Sequence, residues 1–162
     1  MELAEYTRLD AVGVRELIAR GDVSAVEVQA VARAAIARAD AVLRGLAQPL
    51  FDAPLAHDES GPFGGVPFLL KDGPMAAGVE FNVGSRALNG IRAQRDSDLM
   101  RRFRAAGLAA LGVTNVPELA LSFATEPVRT GPTSNPWQLG RGVGGSSGGA
   151  AALVAAGAVP VA

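Results

Sequence analysis

The chain has 162 residues, 49% of them hydrophobic and 19% charged, with a net charge of −1. This is the composition of one globular core with no polyanion-binding surface, so nucleic acid is not an expected partner. Cysteine is absent, which excludes disulfides, thiolate nucleophiles and Cys-based metal sites and is compatible with a reducing, cytoplasmic setting.

Met1-Glu-Leu-Ala-Glu is acidic and no apolar h-region follows it, so no signal peptide is expected. Asp10 caps a short helix that Gly21 stops. Ser24-Ala-Val-Glu27 is a capping box opening a long helix to about Arg44, with Val26, Val28, Val31, Ile36 and Val42 on or near its apolar face. Leu46–Phe51 reads as a strand, Asp52–Gly65 as a polar turn, and Val66–Leu70 as a compact buried strand. Met75–Gly90 is irregular. Asp96-Ser-Asp caps a helix over Leu99–Ala106, closed by Gly107, and Leu108–Val113 is the next buried strand. Strand, helix, strand in this order predicts a right-handed parallel crossover.

Thr114–Gly149 is rich in Pro, Gly, Asn, Ser and Thr, with Phe123, Val128, Trp137 and Leu139 as its expected apolar anchors. Gly148–Gly157 predicts a helix of small residues, and Ala158–Ala162 the start of another strand. The apolar stretch Ala150–Ala162, broken by Gly157 and Pro160, is too short for a membrane span.

Two residue counts narrow the chemistry. There is one histidine, His57, in a turn-rich polar stretch, and no G-x-S-x-G elbow to pair with it. One His without Cys also argues against zinc, and no cofactor is expected. There is one lysine, Lys71, beside fourteen arginines. It follows the apolar run Val66-Pro-Phe-Leu-Leu70 and precedes Asp72. A guanidinium cannot be deprotonated in a protein, whereas a desolvated amine can serve as a base. An ordinary strand-end lysine paired with Asp72 is the plainer reading of the same residues.

The densest motif is Gly144-Gly-Ser-Ser-Gly-Gly149. Gly140-Arg-Gly-Val-Gly-Gly145 formally fits G-x-G-x-x-G, but Asn135-Pro-Trp-Gln-Leu before it does not read as a strand, so the dinucleotide context fails. Tight helix packing and a hydroxyl held for proton transfer both remain open from the loop alone.

Taken together, four segments resemble the amidase-signature family. They are Gly64-Gly-Val-Pro-Phe-Leu-Leu-Lys71-Asp72, Gly112-Val-Thr-Asn-Val-Pro-Glu-Leu119, Gly131-Pro-Thr-Ser-Asn-Pro-Trp137 and Gly144-Gly-Ser-Ser-Gly-Gly-Ala-Ala151, in the family's order. Thr125-Glu-Pro127 and Asn135-Pro-Trp-Gln-Leu-Gly-Arg141 resemble the branch that includes hydrolases of cyclic nylon oligomers (6-aminohexanoate cyclic dimer).

The resemblance implies an α/β fold, a mixed β-sheet core with helices on both faces, of which residues 1–162 are the N-terminal part of a single domain. It implies amide hydrolysis by a Ser–Ser–Lys triad without cofactor or metal. Carried over by residue, Lys71 is the base and Ser146 the bridging serine, whose peptide with Gly145 is typically cis in the family. Gly145 and Ser147 support the loop, Ser147 by hydrogen bonding. Asp72 should point away from the amine or be occupied elsewhere. Phe123, Thr125 and Glu126 are candidates for substrate contact or for loop packing.

The family's nucleophilic serine follows the bridging serine by about two dozen residues, in a Gly-Gly-Ser loop that also builds the oxyanion hole, usually the largest catalytic term. From Ser146 that position falls beyond Ala162, so the 162 residues alone are expected to be inactive. The expected partners are a small-molecule amide and, where the remainder lies on another polypeptide, that second chain. A homo-oligomer is left open, and no membrane is expected. The alternative is a non-catalytic structural or binding fragment, which would expose sheet edges and apolar surface around Val154–Val161.

Overall fold

Three of the five helices begin and end where the sequence places their caps. The structure, a computed structural model, describes residues 1–162. Helix α1 (Leu3–Tyr6) is a single turn. Helix α2 (Ala11–Arg20) starts where the Asp10 carboxylate accepts the Gly13 N–H at 2.8 Å and ends at Gly21, with φ +74°. Helix α3 (Ala25–Leu43) opens on the reciprocal Ser24–Glu27 capping box. It ends on Arg44, itself left-handed at φ 54°. The glycine after it serves a different need: a Cβ at Gly45 would sit 2.7 Å from Leu153 Cγ and 3.2 Å from the Gly149 carbonyl.

Strands β1 (Pro67–Lys71) and β2 (Ala109–Thr114) run parallel, connected through helix α4 (Asp98–Ala106). Ser97 caps α4 and Gly107 stops it. The register pairs Phe68 with Ala110, passes Leu111, and resumes from Leu69–Gly112 to Lys71–Thr114, a bulge that carries one extra residue on β2. Every residue of both strands except Lys71 is buried, so both faces of the pair are covered. Phe103 of α4 meets Phe68 edge-on, with ring centroids 4.8 Å apart. Helix α3 also packs on β1, as does α5 (Gly148–Ala155), which reaches β2 as well. The class is α/β.

Leu46–Phe51 does not form the expected strand. Leu46 makes a lone antiparallel bridge to Thr114. The N–H groups of Ala47, Phe51 and Leu55 then reach the carbonyls of Val113, Leu111 and Ala110. Pro49 and Pro54 have no N–H, so a continuous ladder cannot form and the segment lines the edge of β2 irregularly. The strand pair itself is parallel, and this bridge is an antiparallel contact at its edge.

The segment read as one long loop contains a 3₁₀ turn (Glu118–Ala120) and a hairpin, β3 (Ser134–Asn135) with β4 (Gln138–Gly142). Its expected apolar anchors do not anchor it: Phe123, Val128, Trp137 and Leu139 are 89, 68, 85 and 55% exposed. Polar bonds hold the segment instead, as described below.

Ala158–Ala162 also departs from expectation. It joins no ladder. The Ala158 N–H closes α5 on the Leu153 carbonyl, with Gly157 at φ +68°, and the Tyr6 hydroxyl donates to the Ala158 carbonyl at 3.3 Å. Ala158 and Val159 are therefore buried, while Val154, Ala155 and Ala156 are exposed, so the apolar surface open there is confined to the end of α5. No helix is long and apolar enough to cross a membrane.

The elements converge at the end of β2. Asn115 donates its N–H to the Gly45 carbonyl at 2.7 Å and accepts the Gly149 N–H at 3.0 Å. A Cβ at Gly149 would overlap the Gly45 carbonyl oxygen and the Asn115 nitrogen. Backbone cannot yield as the tip of a side chain can, so Gly149→Ala should cost about 1–3 kcal/mol, the range for overpacking. Urea unfolding checks this; an unchanged midpoint and slope would show that the close approach is not required.

Candidate functional site

Lys71 is the last residue of β1, where the buried strand reaches partial exposure. Its position is fixed on both sides. The Thr114 hydroxyl donates to the Leu70 carbonyl at 3.1 Å, and the Asp72 N–H bonds the Thr114 carbonyl at 3.3 Å. The amine donates to the Ser146 hydroxyl oxygen at 2.8 Å, across 75 positions of sequence. Lys71 takes part in none of the chain's ion pairs, which join Arg20, Arg92, Arg101 and Arg104 to nearby carboxylates.

Asp72, the neighbour that could have neutralised the amine, is turned to other work. It is buried, and its Oδ1 accepts the Asn82 N–H at 3.2 Å, while Oδ2 has no partner. Burial pushes its carboxyl above the ordinary range, opposed by the main chain of Asn82–Gly84 and by the Arg129 charge.

Ser146 sits in the loop between β4 and α5, with a cis peptide between Gly145 and Ser146. The loop's seat is polar and buried. The Thr125 hydroxyl and N–H both donate to the Gly144 carbonyl, at 2.8 and 3.1 Å. Thr133 donates its N–H to the Thr125 carbonyl at 3.0 Å and its hydroxyl to the Arg44 carbonyl at 2.8 Å. Asn115 Nδ2 donates to Thr133 Oγ1 at 3.0 Å and to the Gly131 carbonyl at 3.2 Å, and its Oδ1 accepts the Thr130 hydroxyl at 2.7 Å. Asn115, Thr125 and Thr133 are all buried, and paired buried polar groups of this kind rigidify what they touch.

The structure thus brings Lys71, Ser146 and Gly145 together. Ser147 differs from expectation: it is exposed, its hydroxyl makes no hydrogen bond, and it acts through its carbonyl, which accepts the Ala151 N–H as α5 begins. Thr125 packs the loop, whereas Phe123 and Glu126 are exposed. His57 lies in its predicted loop, its Nδ1 2.8 Å from the Leu55 carbonyl.

A strand does precede the glycine loop, contrary to the sequence reading, but Gly140 and Gly142 lie inside it and its partner is antiparallel. A dinucleotide turn needs its glycines between a parallel strand and the helix. Asn115 and Thr133 were missed as site residues; their signal lay in the Gly112–Leu119 and Gly131–Trp137 motifs.

The Asp72 carboxyl holds its proton more tightly in the folded chain than in the unfolded one. By linkage its contribution favours folding at acid pH and is lost as pH rises from about 4 through its folded pKa. Asp72→Asn should therefore gain stability relative to the parent between about pH 3 and pH 7, measured by urea unfolding at each pH. A difference that does not vary with pH would contradict this.

Residues 14–162 match the family model described as Amidase. The chain is 41% identical over 158 residues to the 6-aminohexanoate-cyclic-dimer hydrolase of Paenarthrobacter ureafaciens, covering 94% of this chain and 32% of that protein. It is 40% identical over 158 residues to the 6-aminohexanoate-cyclic-dimer hydrolase of Pseudomonas sp. (strain NK87), again covering 94% and 32%. The solved structure of 6-aminohexanoate cyclic dimer hydrolase complexed with substrate is similar with a TM-score of 0.88 and 39% identity, over 95% of this chain and 33% of that one. Fatty acid amide hydrolase shares the fold at a TM-score of 0.89 and 22% identity, over 98% and 30%. The chain spans about a third of the length of the curated relatives it matches. With the family model covering most of its residues, the chain belongs to the amidase family.

Proposed function

We propose that this chain carries the proton-shuttling part of a cytoplasmic amide hydrolase, with Lys71 as the base, Ser146 as the bridging hydroxyl and the nucleophilic serine supplied by residues outside the 162. The observation that carries the reading is the 2.8 Å contact between the Lys71 amine and the Ser146 hydroxyl. An amine free of any carboxylate, at the end of an apolar strand, is placed to accept a proton in its neutral form.

The chemistry follows from that contact. A serine hydroxyl is a poor nucleophile near neutral pH and needs an adjacent base. As the nucleophilic oxygen bonds to the amide carbon, its proton passes to Ser146 and the Ser146 proton passes to Lys71. The relay then runs backward: Lys71 returns a proton through Ser146 to the departing nitrogen as the C–N bond breaks. Water repeats the cycle on the acyl-enzyme ester, releasing the carboxylic acid. Donors for the tetrahedral oxyanion would come from the nucleophile's own loop. Since one similar protein is a 6-aminohexanoate-cyclic-dimer hydrolase, a cyclic amide is the first substrate to assay.

In this reading the exposed apolar side chains Phe123, Val128 and Trp137 are covered by the rest of the amidase domain, on the same polypeptide or on a second one.

Two measurements test the proposal. In the complete enzyme, Lys71→Arg should lower kcat by about 10²–10⁴-fold while the circular dichroism spectrum is kept, because a guanidinium cannot take the proton. Turnover within a few-fold of the parent would remove Lys71 from the mechanism. A serine-directed fluorophosphonate should label no serine of the purified 162-residue chain, as judged by intact mass. Labelling at Ser146 or Ser147 would place the nucleophile within it.

A further inference from the structure

We infer that Thr125 is a positioning residue for Ser146: its hydroxyl holds both flanks of the serine loop at the place where Ser146 meets Lys71. The inference rests on the proton-relay reading above and adds to it a residue that touches neither reacting group.

Thr125 is fully buried, which takes it out of direct contact with substrate. Its hydroxyl donates at 2.8 Å to the Gly144 carbonyl, two residues before Ser146. The same oxygen lies against Gly145, where a Cβ would come within 3.3 Å of it, and against Gly148, where a Cβ would overlap it outright. One hydroxyl thus contacts the chain on both sides of Ser146.

The loop has little else to fix it from within. The Ser147 hydroxyl makes no hydrogen bond, and the one side-chain bond of Ser146 is to Lys71. Thr125 is in turn held from behind by the Thr133 N–H, and Thr133 by Asn115 and the Arg44 carbonyl. The Gly144 carbonyl also accepts the Thr125 N–H at 3.1 Å, so removing the hydroxyl leaves no buried acceptor orphaned. Its loss should fall on the position of the loop more than on folding.

Misplacement of a reacting group by a fraction of an ångström lowers the chemical step without weakening substrate binding. The test is steady-state kinetics of the complete enzyme with Thr125→Val, Thr125→Ala and Thr125→Ser, beside Lys71→Ala and Ser146→Ala. Thr125→Val keeps the shape and removes the hydroxyl, and should lower kcat roughly tenfold to a hundredfold with KM nearly unchanged. Thr125→Ala, which sets no methyl against the carbonyl, should do the same and serves if the valine variant does not fold. Thr125→Ser restores the hydroxyl and should recover most of kcat.

A folded valine or alanine variant with parental kcat would overturn the inference. So would a serine variant as impaired as the alanine one, since the methyl and not the hydroxyl would then matter. Activity surviving Lys71→Ala and Ser146→Ala would instead overturn the relay itself.

Discussion

Everything in this molecule that bears on chemistry is referred to two residues at the end of β2. Thr114 stands in register with Lys71 and bonds the main chain on either side of it. Asn115, the next residue, is clamped by its main chain between Gly45 at the end of α3 and Gly149 in the first turn of α5. The lysine and the serine loop, 75 positions apart in sequence, are thus attached to adjacent links of one buried strand end. A short, direct linkage of this kind leaves few soft degrees of freedom between two groups, which is what a proton relay requires. The geometry is main chain to main chain, so it depends on the absence of side chains at Gly45 and Gly149 as much as on any side chain present.

The second level of organisation is polar. In a stretch of mostly small and turn-forming residues, the order comes from Asn115, Thr125 and Thr133, each buried and each bonded to main-chain groups far away in sequence. Such a network is directional, so it can set the orientation of a loop that apolar packing would leave loose. The large apolar side chains Phe123, Val128 and Trp137 of the same stretch point to solvent and hold nothing in place. Stability and site geometry are accordingly divided: the apolar cluster of α3, α5 and the strand pair holds the fold, and the threonine–asparagine network holds the serine.

What could be read from the sequence was what is local. The caps at Asp10, Ser24 and Ser97, the glycine stops at Gly21 and Gly107, and the two apolar strands each depend on a few adjacent residues, and each stands where expected. The misreadings share a cause. Leu46–Phe51 has a strand's composition, but its prolines matter only once it lies along the edge of β2. Ala158–Ala162 has a strand's composition, but a strand needs a neighbour, and none of the 162 residues offers one. Trp137 and Phe123 look like core residues because sequence reports hydrophobicity and not what will cover it. The meeting of Lys71 with Ser146 was legible only through the joint occurrence of four motifs, since no local pattern joins residues so far apart. Thr125 was legible as a candidate for loop packing and Thr133 as part of the Gly131–Trp137 motif, but their bonding partners were not, because a buried threonine bonded to a distant carbonyl looks in sequence like any other loop threonine.

The most direct test of the relay is a crystal structure of the complete enzyme with a substrate-like amide bound. The account predicts that Ser146 Oγ lies within about 3.2 Å of Lys71 Nζ on one side and of a serine hydroxyl from outside these 162 residues on the other, with that serine facing the amide carbon. A Lys71 amine bonded to a carboxylate, or a Ser146 hydroxyl with no second serine in reach, would contradict it.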